Sequence, residues 1–512
     1  MVVGWVVSLG ALHKFHCSDT LVPILVSLQK WTPFFWEQDR IGMLVPLLTL
    51  PLRHPLLNLL AQGAIYVSTV LAAIYLLARY MLRDGSYGLA GTLSAVAFLG
   101  LAPVGWVFNI TAASFYGVWL ALGLGGLVVA EGRSGEPPPW WRWLIALGLL
   151  VLAHWAYLTT SLLLGPLVMA RFLVCGHGAK APDARGDNGP PSTWASMFVR
   201  NIRKVLTSEL GGQLLLLGVA FAFGYLFYRL ETRHLLGHTD LGSLPVAQWP
   251  SIWRQLWKNQ WAELAPHHWP YFLFGAAFAG LVQLSVPAMR RQAGVAWRAA
   301  IAVTIAATVY FLFVGTRQWV FLNCCNARYA YPALFLFQEA FAILAVGPLM
   351  AIFRNRLGRR IYVPAAVGLL LAALVNFHSP SIKKVREDLT HTFGLGGRTA
   401  DVLAAHCTHV AGDYWKVWPT VYHANLMLRE QGESRTIWGI TLKGAVTRAQ
   451  WKHMPMGQLR IAVPLDDREQ AEVWLQALHL PPMVEVERRS TIYVLRPAAV
   501  VAREQQQKST CP

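Results

Sequence analysis

Long apolar runs separated by short polar connections fill the first three quarters of this chain, and the last quarter changes to short alternating stretches. The apolar runs fall near 1–13, 56–80, 87–108, 112–130, 142–157, 159–175, 212–229, 269–289, 297–315, 331–352 and 361–377. A helix needs about 20 apolar residues to cross the hydrocarbon of a bilayer, so run length rather than periodicity predicts transmembrane helices here. The first run is short for a span, and the fifth and sixth are closely coupled. Beyond about 378, "RTIWGIT", "LRIAVP" and "TIYVLRP" alternate as strands do, while "DREQAEVWLQALHL" places apolar residues three and four apart, as an amphipathic helix does. The expected architecture is a polytopic α-helical membrane protein of about eleven transmembrane helices with a C-terminal extracytoplasmic α/β domain. Its parts are a membrane domain over 1–377 with large outer loops at 13–55 and 231–269, an α/β domain over 378–502, and a disordered tail over 503–512.

Composition supports the membrane assignment. Of 512 residues, 55% are hydrophobic and 14% charged, and mean hydropathy is +0.40. A soluble domain carries roughly a quarter charged residues. The net charge of +18 would suggest nucleic acid in a soluble protein. Here the excess lies in short loops. With the N-terminus cytoplasmic, the inside connections hold Arg79, Arg83, Arg133, Arg142, Arg171, Arg200, Arg203, Arg290, Arg291, Arg354 and Arg360 among others. The opposite connections near 105–112 and 154–160 hold no Lys or Arg, and the one near 316–330 holds only Arg317 and Arg328. Basic residues are retained on the cytoplasmic side. Orientation therefore accounts for the charge, nucleic acid is not an expected partner, and the loops at 13–55 and 231–269 and the chain beyond His378 fall outside. The compact loops point to a multi-pass protein of a bacterial cytoplasmic (inner) membrane. Six scattered cysteines, without a C-x-x-C pair or a Cys/His array, give neither a disulfide framework nor a zinc site. No cofactor is expected and no divalent metal is indicated.

The candidate chemistry lies in the outer segments. "WTPFFWEQDRIGMLVPLL", 31–48, sets Glu37, Asp39 and Arg40 between aromatic and aliphatic blocks. Short helices lying in the interface, with rings at headgroup level and acids turned towards a cavity, are expected. Asp19 in "HKFHCSDT" is a second acid in the same loop. An acid sheltered by aromatics is partly desolvated, which raises its pKa and suits it to general-base work. Competing readings make Asp19 the cap of the helix "TLVPILVSLQKW" and make Asp39 and Arg40 interfacial anchors. In the turn "LNCCNARYAYPA", Arg328, Tyr329 and Tyr331 precede a span, with Arg317 upstream. A guanidinium there suits a lipid-linked phosphate, which it grips in bidentate fashion; the alternative is a snorkelling Arg in an aromatic belt. His154 and Tyr157 interrupt an apolar run, facing either a cavity or a packing partner. Trp249, Trp253, Trp257 and Trp261 recur every four residues along one helix face. Glu263, His267 and His268 match no metal spacing. In "HVAGDYWKVWPTVYHAN", Asp413, Tyr414, Trp415, Trp418, Tyr422 and His423 read as a carbohydrate platform or a packing seam.

This layout, the acidic first loop and the "ARYAYPA" turn together resemble the GT-C superfamily of integral membrane glycosyltransferases. That superfamily includes the dolichyl-phosphate-mannose mannosyltransferases and the bacterial aminoarabinose transferases. The resemblance implies transfer of a hexosyl or pentosyl group from a polyprenyl-phosphate-linked sugar to a glycan, lipid or protein acceptor, among membrane lipids and on the extracytoplasmic side. It implies Asp39 or Asp19, with Glu37 beside them, as the base for the acceptor hydroxyl, and Arg328 or Arg317 as ligand of the departing phosphate. Two other readings stand. A transporter or flippase of a lipid-linked or sugar substrate predicts mid-membrane charges and repeated spans; few such charges and no repeat are read here. A non-catalytic envelope assembly protein would use the outer domain to bind a partner.

Overall fold

The computed structural model describes residues 1–10, 17–36, 38–82, 87–101, 107, 110–111, 115–131, 138–175, 209–232, 242–264, 290–353, 367–368, 371, 395–441, 455–477 and 479–510. In chain order the elements are α1 (Val2–Gly10), α2 (Ser18–Leu28), β1 (Phe34–Phe35), β2 (Gln38–Gly42), α3 (Leu44–Leu48), α4 (Pro55–Leu82), α5 (Tyr87–Leu101), α6 (Tyr116–Val129), α7 (Trp140–Ala156), α8 (Ser161–Cys175) and α9 (Glu209–Thr232). Next come α10 (Trp249–Leu264), α11 (Arg290–Gly315), α12 (Gln318–Leu322), α13 (Tyr331–Phe353), α14 (Leu395–Ala404), β3 (His409–Ala411), α15 (Tyr414–Glu430) and β4 (Trp438–Ile440). The last are β5 (Ile461–Pro464), α16 (Arg468–Ala477), β6 (Met483–Arg488), β7 (Ile492–Pro497) and α17 (Ala498–Thr510). The run expected at 269–289 and nearly all of that at 361–377 lie outside the described residues. Among the described residues, Pro55–Leu82, Glu209–Glu231 and Gly294–Gly315 are long and apolar enough to cross a membrane.

The chain divides into two compact units. One comprises Met1–Ile65, Glu231–Thr239 and Phe377–Pro512, and the other Tyr66–Leu230 and Asp240–Asn376.

The second unit is a helical bundle. α11 packs along α13 and α8, α6 along α7, and α13 along α5. Small residues let backbones approach: a Cβ on Gly117 would stand 2.4 Å from Val70 Cγ2, and one on Gly126 3.0 Å from the Ala146 carbonyl oxygen. Without a hydrophobic drive between helices in lipid, such close contacts and buried polar links hold spans together. Here Arg171 Nη2 lies 2.5 Å from Glu131 Oε1, its guanidinium carbon lies 3.7 Å from the Tyr80 ring centroid, and Tyr80 donates to Gln213 Oε1 at 2.7 Å.

The first unit is built on a five-stranded sheet in the order β4-β3-β5-β7-β6. β3 runs parallel to β4 and β5, while β7 runs antiparallel to β5 and β6. The segments 435–441, 459–464 and 491–497, expected as strands, contain β4, β5 and β7, and the expected helix contains α16. Ala411, Ile440, Ile461, Val463, Ala471 and Leu475 form one apolar layer. Over Gly439 of β4 lies Trp418 of α15, so close that a Cβ on the glycine would be 2.5 Å from the ring. Residues 503–510, expected as a tail, continue α17; Arg496 grips Glu504 with two bonds of 2.8 and 2.6 Å, which pins the helix to β7.

The segment that carries Trp36 departs from expectation. β1 and β2 pair antiparallel where a helix in the interface was expected. Trp36 between them is 1% exposed, with ring centroids 5.8 Å from Trp418 and 6.0 Å from Trp438. The aromatics thus pack inside the protein, where ring area is worth more than at a headgroup boundary. α3 is a short helix as expected. A buried network joins α2, α3 and α4: Asn58 donates to Ser27 Oγ and the Thr49 and Leu52 carbonyls, and Gln62 donates to Asn58 Oδ1 at 2.8 Å.

His409 on β3 is fully buried, and burial lowers its pKa to about 4. Unfolded, the ring would titrate near 6.5. The folded form stays neutral while the unfolded form binds a proton, so stability is complete above pH 6.5 and falls between 6.5 and about 4. The loss expected is on the order of 3 kcal/mol. Denaturant midpoints measured from pH 7 to pH 4 should show it, and His409→Gln should flatten the slope.

Candidate active site

In the first unit the acidic candidates separate. Asp19 is the second residue of α2, whose N-cap is Cys17 without a side-chain cap bond, so Asp19 does not cap the helix. Its carboxylate lies in the first turn, where the helix dipole favours negative charge. Asp19 Oδ1 instead accepts a 2.7 Å hydrogen bond from the Tyr414 hydroxyl. Ser18 Oγ donates to the Tyr414 carbonyl at 2.8 Å, and α2 packs along α15, so the N-termini of these two helices meet. Further along, Gln29 donates to the Ile437 carbonyl at 3.0 Å. Burial, then the charge of Asp19, raise the Cys17 thiol to about 11, so it is protonated at neutral pH and does not compete as a nucleophile. Glu37 lies outside the described residues. Asp39 and Arg40 lie on β2, and their side chains lie outside what is described.

The aromatic segment beside Asp19 also sorts itself. Asp413 is the N-cap of α15, accepting from the Trp415 amide at 2.9 Å. Its own amide donates to Asp467 Oδ2, and Lys416 donates to Asp466 and Asp467 at 2.7 and 2.6 Å. Asp413 therefore orders the helix start rather than gripping a ligand. Trp418 and Tyr422 lie on the buried face of α15 and belong to the core, not to a platform. Trp415 points the other way, 47% exposed, edge-on to Tyr414 at 5.0 Å. The outcome is a carboxylate, a phenol and an open indole at one helix junction. Their partnership joins residues 395 apart and could not be read from local pattern.

In the second unit, the turn 323–331 carries the arginine candidates. Cys324 and Cys325 both have left-handed backbones and free thiols. Asn326 caps the short helix Ala327–Ala330 by accepting from the Arg328 amide. Arg328 Nη2 donates to the Tyr329 hydroxyl at 2.9 Å, its carbonyl accepts from Tyr116 at 2.8 Å, and Trp319 meets Tyr329 edge-on at 4.2 Å. Arg317 stacks 3.7 Å over Phe313 and donates to Ser243 Oγ at 3.2 Å. Tyr331 is buried. Arg328 thus reaches the Tyr329 phenol and Arg317 the Ser243 hydroxyl.

His154 is buried, with Nδ1 against the Leu150 carbonyl at 2.7 Å and Nε2 against Ser161 Oγ at 2.6 Å. Tyr157 stacks on Trp119 at 5.6 Å. Both have packing roles in this geometry. The Trp stripe of α10 is anchored by Trp249 and Trp253, whose indoles donate to the Leu244 and Leu312 carbonyls. Glu263's side chain, His267 and His268 lie outside the described residues. Among the described residues no three His, Cys, Asp or Glu side chains gather to hold a metal.

One acid escaped the sequence reading. Glu339, inside the apolar run "LFLFQEAFAIL" of α13, is 1% exposed beside Ser94 of α5, and its Oε1 has no partner among the described residues. Its signal was a single acid in a long apolar run, outvoted by the hydropathy of its neighbours.

No protein-family model matches this chain, and no curated protein matches its sequence. Two crystal structures of ArnT from Cupriavidus metallidurans, in the apo state and bound to undecaprenyl phosphate, are similar with TM-scores of 0.44 and 0.43. Both alignments are at 12% identity and cover 98% of this chain and 97% of the other.

Proposed function

We propose that this protein is a membrane glycosyltransferase of GT-C type that moves a sugar from a polyprenyl-phosphate donor to an acceptor hydroxyl. The observation that carries this reading is Asp19, held at 2.7 Å by Tyr414 beside the half-exposed ring of Trp415. It supplies an oriented carboxylate base and a surface on which a sugar face can stack. The acceptor oxygen attacks the anomeric carbon as its proton passes to Asp19. The bond from that carbon to the phosphate oxygen breaks, and the lipid phosphate leaves carrying the negative charge. Arg328 and Arg317 are the phosphate ligands in this reading. The step as written needs no cofactor. About eleven spans, with 13–55, 231–269 and the chain beyond 378 on the extracytoplasmic face of a bacterial inner membrane, complete the proposal.

A second reading, a transporter or flippase, is favoured by Glu339. A buried carboxyl within a span is costly and marks ion or substrate paths in membrane proteins.

The test is sugar transfer by purified protein in lipid nanodiscs from a pool of radiolabelled polyprenyl-phosphate sugars. Consumption of a donor, with label appearing in an acceptor, supports the first reading. Movement of a donor across the bilayer without bond cleavage, lost in Glu339→Gln, supports the second. In the transfer assay Arg328→Gln should raise KM for the donor by roughly ten- to a hundredfold, the value of charge-assisted bonds to phosphate.

A further inference from the structure

Buried polar side-chain atoms nearly always have a hydrogen-bond partner, and the exceptions need a reason. Gln260 on α10 is such an exception. It is 1% exposed, and neither its Nε2 nor its Oε1 has a partner among the described residues. It completes the buried stripe of its helix, Ile252, Leu256 and Gln260, at four-residue spacing, while Trp257 and Trp261 on the adjoining face are 43% and 45% exposed. A leucine in the third place would be buried without loss. α10 packs against the short helix Ala327–Ala330 that carries Arg328, and Asn259 fixes that register by donating to the Cys324 and Cys325 carbonyls at 3.3 and 2.8 Å. A polar residue has therefore been placed on the apolar face of a helix seated against the proposed phosphate-binding turn.

We infer that Gln260 reads hydroxyl groups on the sugar of the lipid-linked donor. This rests on the glycosyltransferase reading. Neither end of the amide has a partner among the described residues, and a ligand that satisfied both would have to accept from Nε2 and donate to Oε1. Ionised phosphate oxygens only accept. Neighbouring sugar hydroxyls do both, and a side-chain amide matches such a pair. Gln260 is thus a specificity-determining residue for the sugar, with the phosphate left to the arginines. Because the amide is desolvated before the donor arrives, the empty protein bears a cost that the donor relieves.

The experiment compares wild type with Gln260→Leu in nanodiscs. Three quantities are measured: affinity for bare polyprenyl phosphate, affinity for the polyprenyl-phosphate sugar that the wild type consumes, and the melting temperature without lipid. The sugar-bearing donor should bind roughly tenfold more weakly, as two lost hydrogen bonds imply. Bare polyprenyl phosphate should bind as before, and the melting temperature should hold or rise. Unchanged affinity for the sugar-bearing lipid overturns the inference, since Gln260 then holds only water. Equal weakening for both lipids overturns it too, by assigning Gln260 to the phosphate or to the fold. Gln260→Met, an unbranched apolar side chain of similar length, is read by the same criteria if the leucine packs badly. A wild type that binds neither lipid overturns the glycosyltransferase reading and this inference with it.

Discussion

Asp19→Asn should abolish sugar transfer, by a factor between roughly 100 and 10,000 in kcat, which is the usual contribution of a positioned general base. The asparagine keeps an oxygen to accept from Tyr414, so the bond at 2.7 Å and the junction of α2 and α15 survive. What disappears is the ability to take a proton. Donor binding should be unchanged, because asparagine keeps the size and the accepting oxygen of the carboxylate. Tyr414→Phe separates orientation from basicity. Without the phenol the carboxylate loses its anchor, and a loss of about tenfold follows from one hydrogen bond to a charged group. Asp39→Asn is the control. Full activity in Asp39→Asn with none in Asp19→Asn assigns the base, whereas the reverse pattern transfers the role to β2 and leaves Asp19 as a brace.

Trp36→Ala should destabilise the first unit by about 3–5 kcal/mol, the range for removing a large buried aromatic. The indole lies between Trp418 and Trp438, and no relaxation of one strand closes a hole bounded by a helix and a sheet edge. Its Nε1 has no partner among the described residues, so Trp36→Phe forfeits no hydrogen bond and should cost far less. Thermal unfolding of the three proteins in nanodiscs measures the difference. A ring that merely anchored the chain in headgroups would respond to bilayer composition and hardly to the change to alanine.

Much of the fold was legible where one signal sufficed. Length and hydropathy located α4, α9 and α11, and alternation located β4, β5 and β7. The pairing of β1 with β2 was misread because a dense run of rings suits both an interface and a protein core, and only tertiary partners decide between them. Asp413 shows the same ambiguity at one residue: an acid among aromatics reads as a sugar contact, yet it stands just where α15 needs a cap. The pairing of Asp19 with Tyr414 is long-range and invisible to any window. Glu339 and Gln260 were hidden differently. Each is one polar position within a strong apolar pattern, and averaging over a window removes just that kind of information.

The first unit is assembled from the two ends of the chain, and this sets a timetable for its synthesis. Tyr414 follows Asp19 by 395 residues, and Trp418 and Trp438 come later still. At 5–20 residues per second, roughly 20–80 s separate the two events on the ribosome. During that interval Trp36 has emerged without the rings of Trp418 and Trp438 that pack on it. The nascent protein must shelter that indole against chaperone or lipid while its helices are being inserted, and a message cut short before the final hundred codons would leave it permanently uncovered, a degradation signal written at the opposite end from the damage.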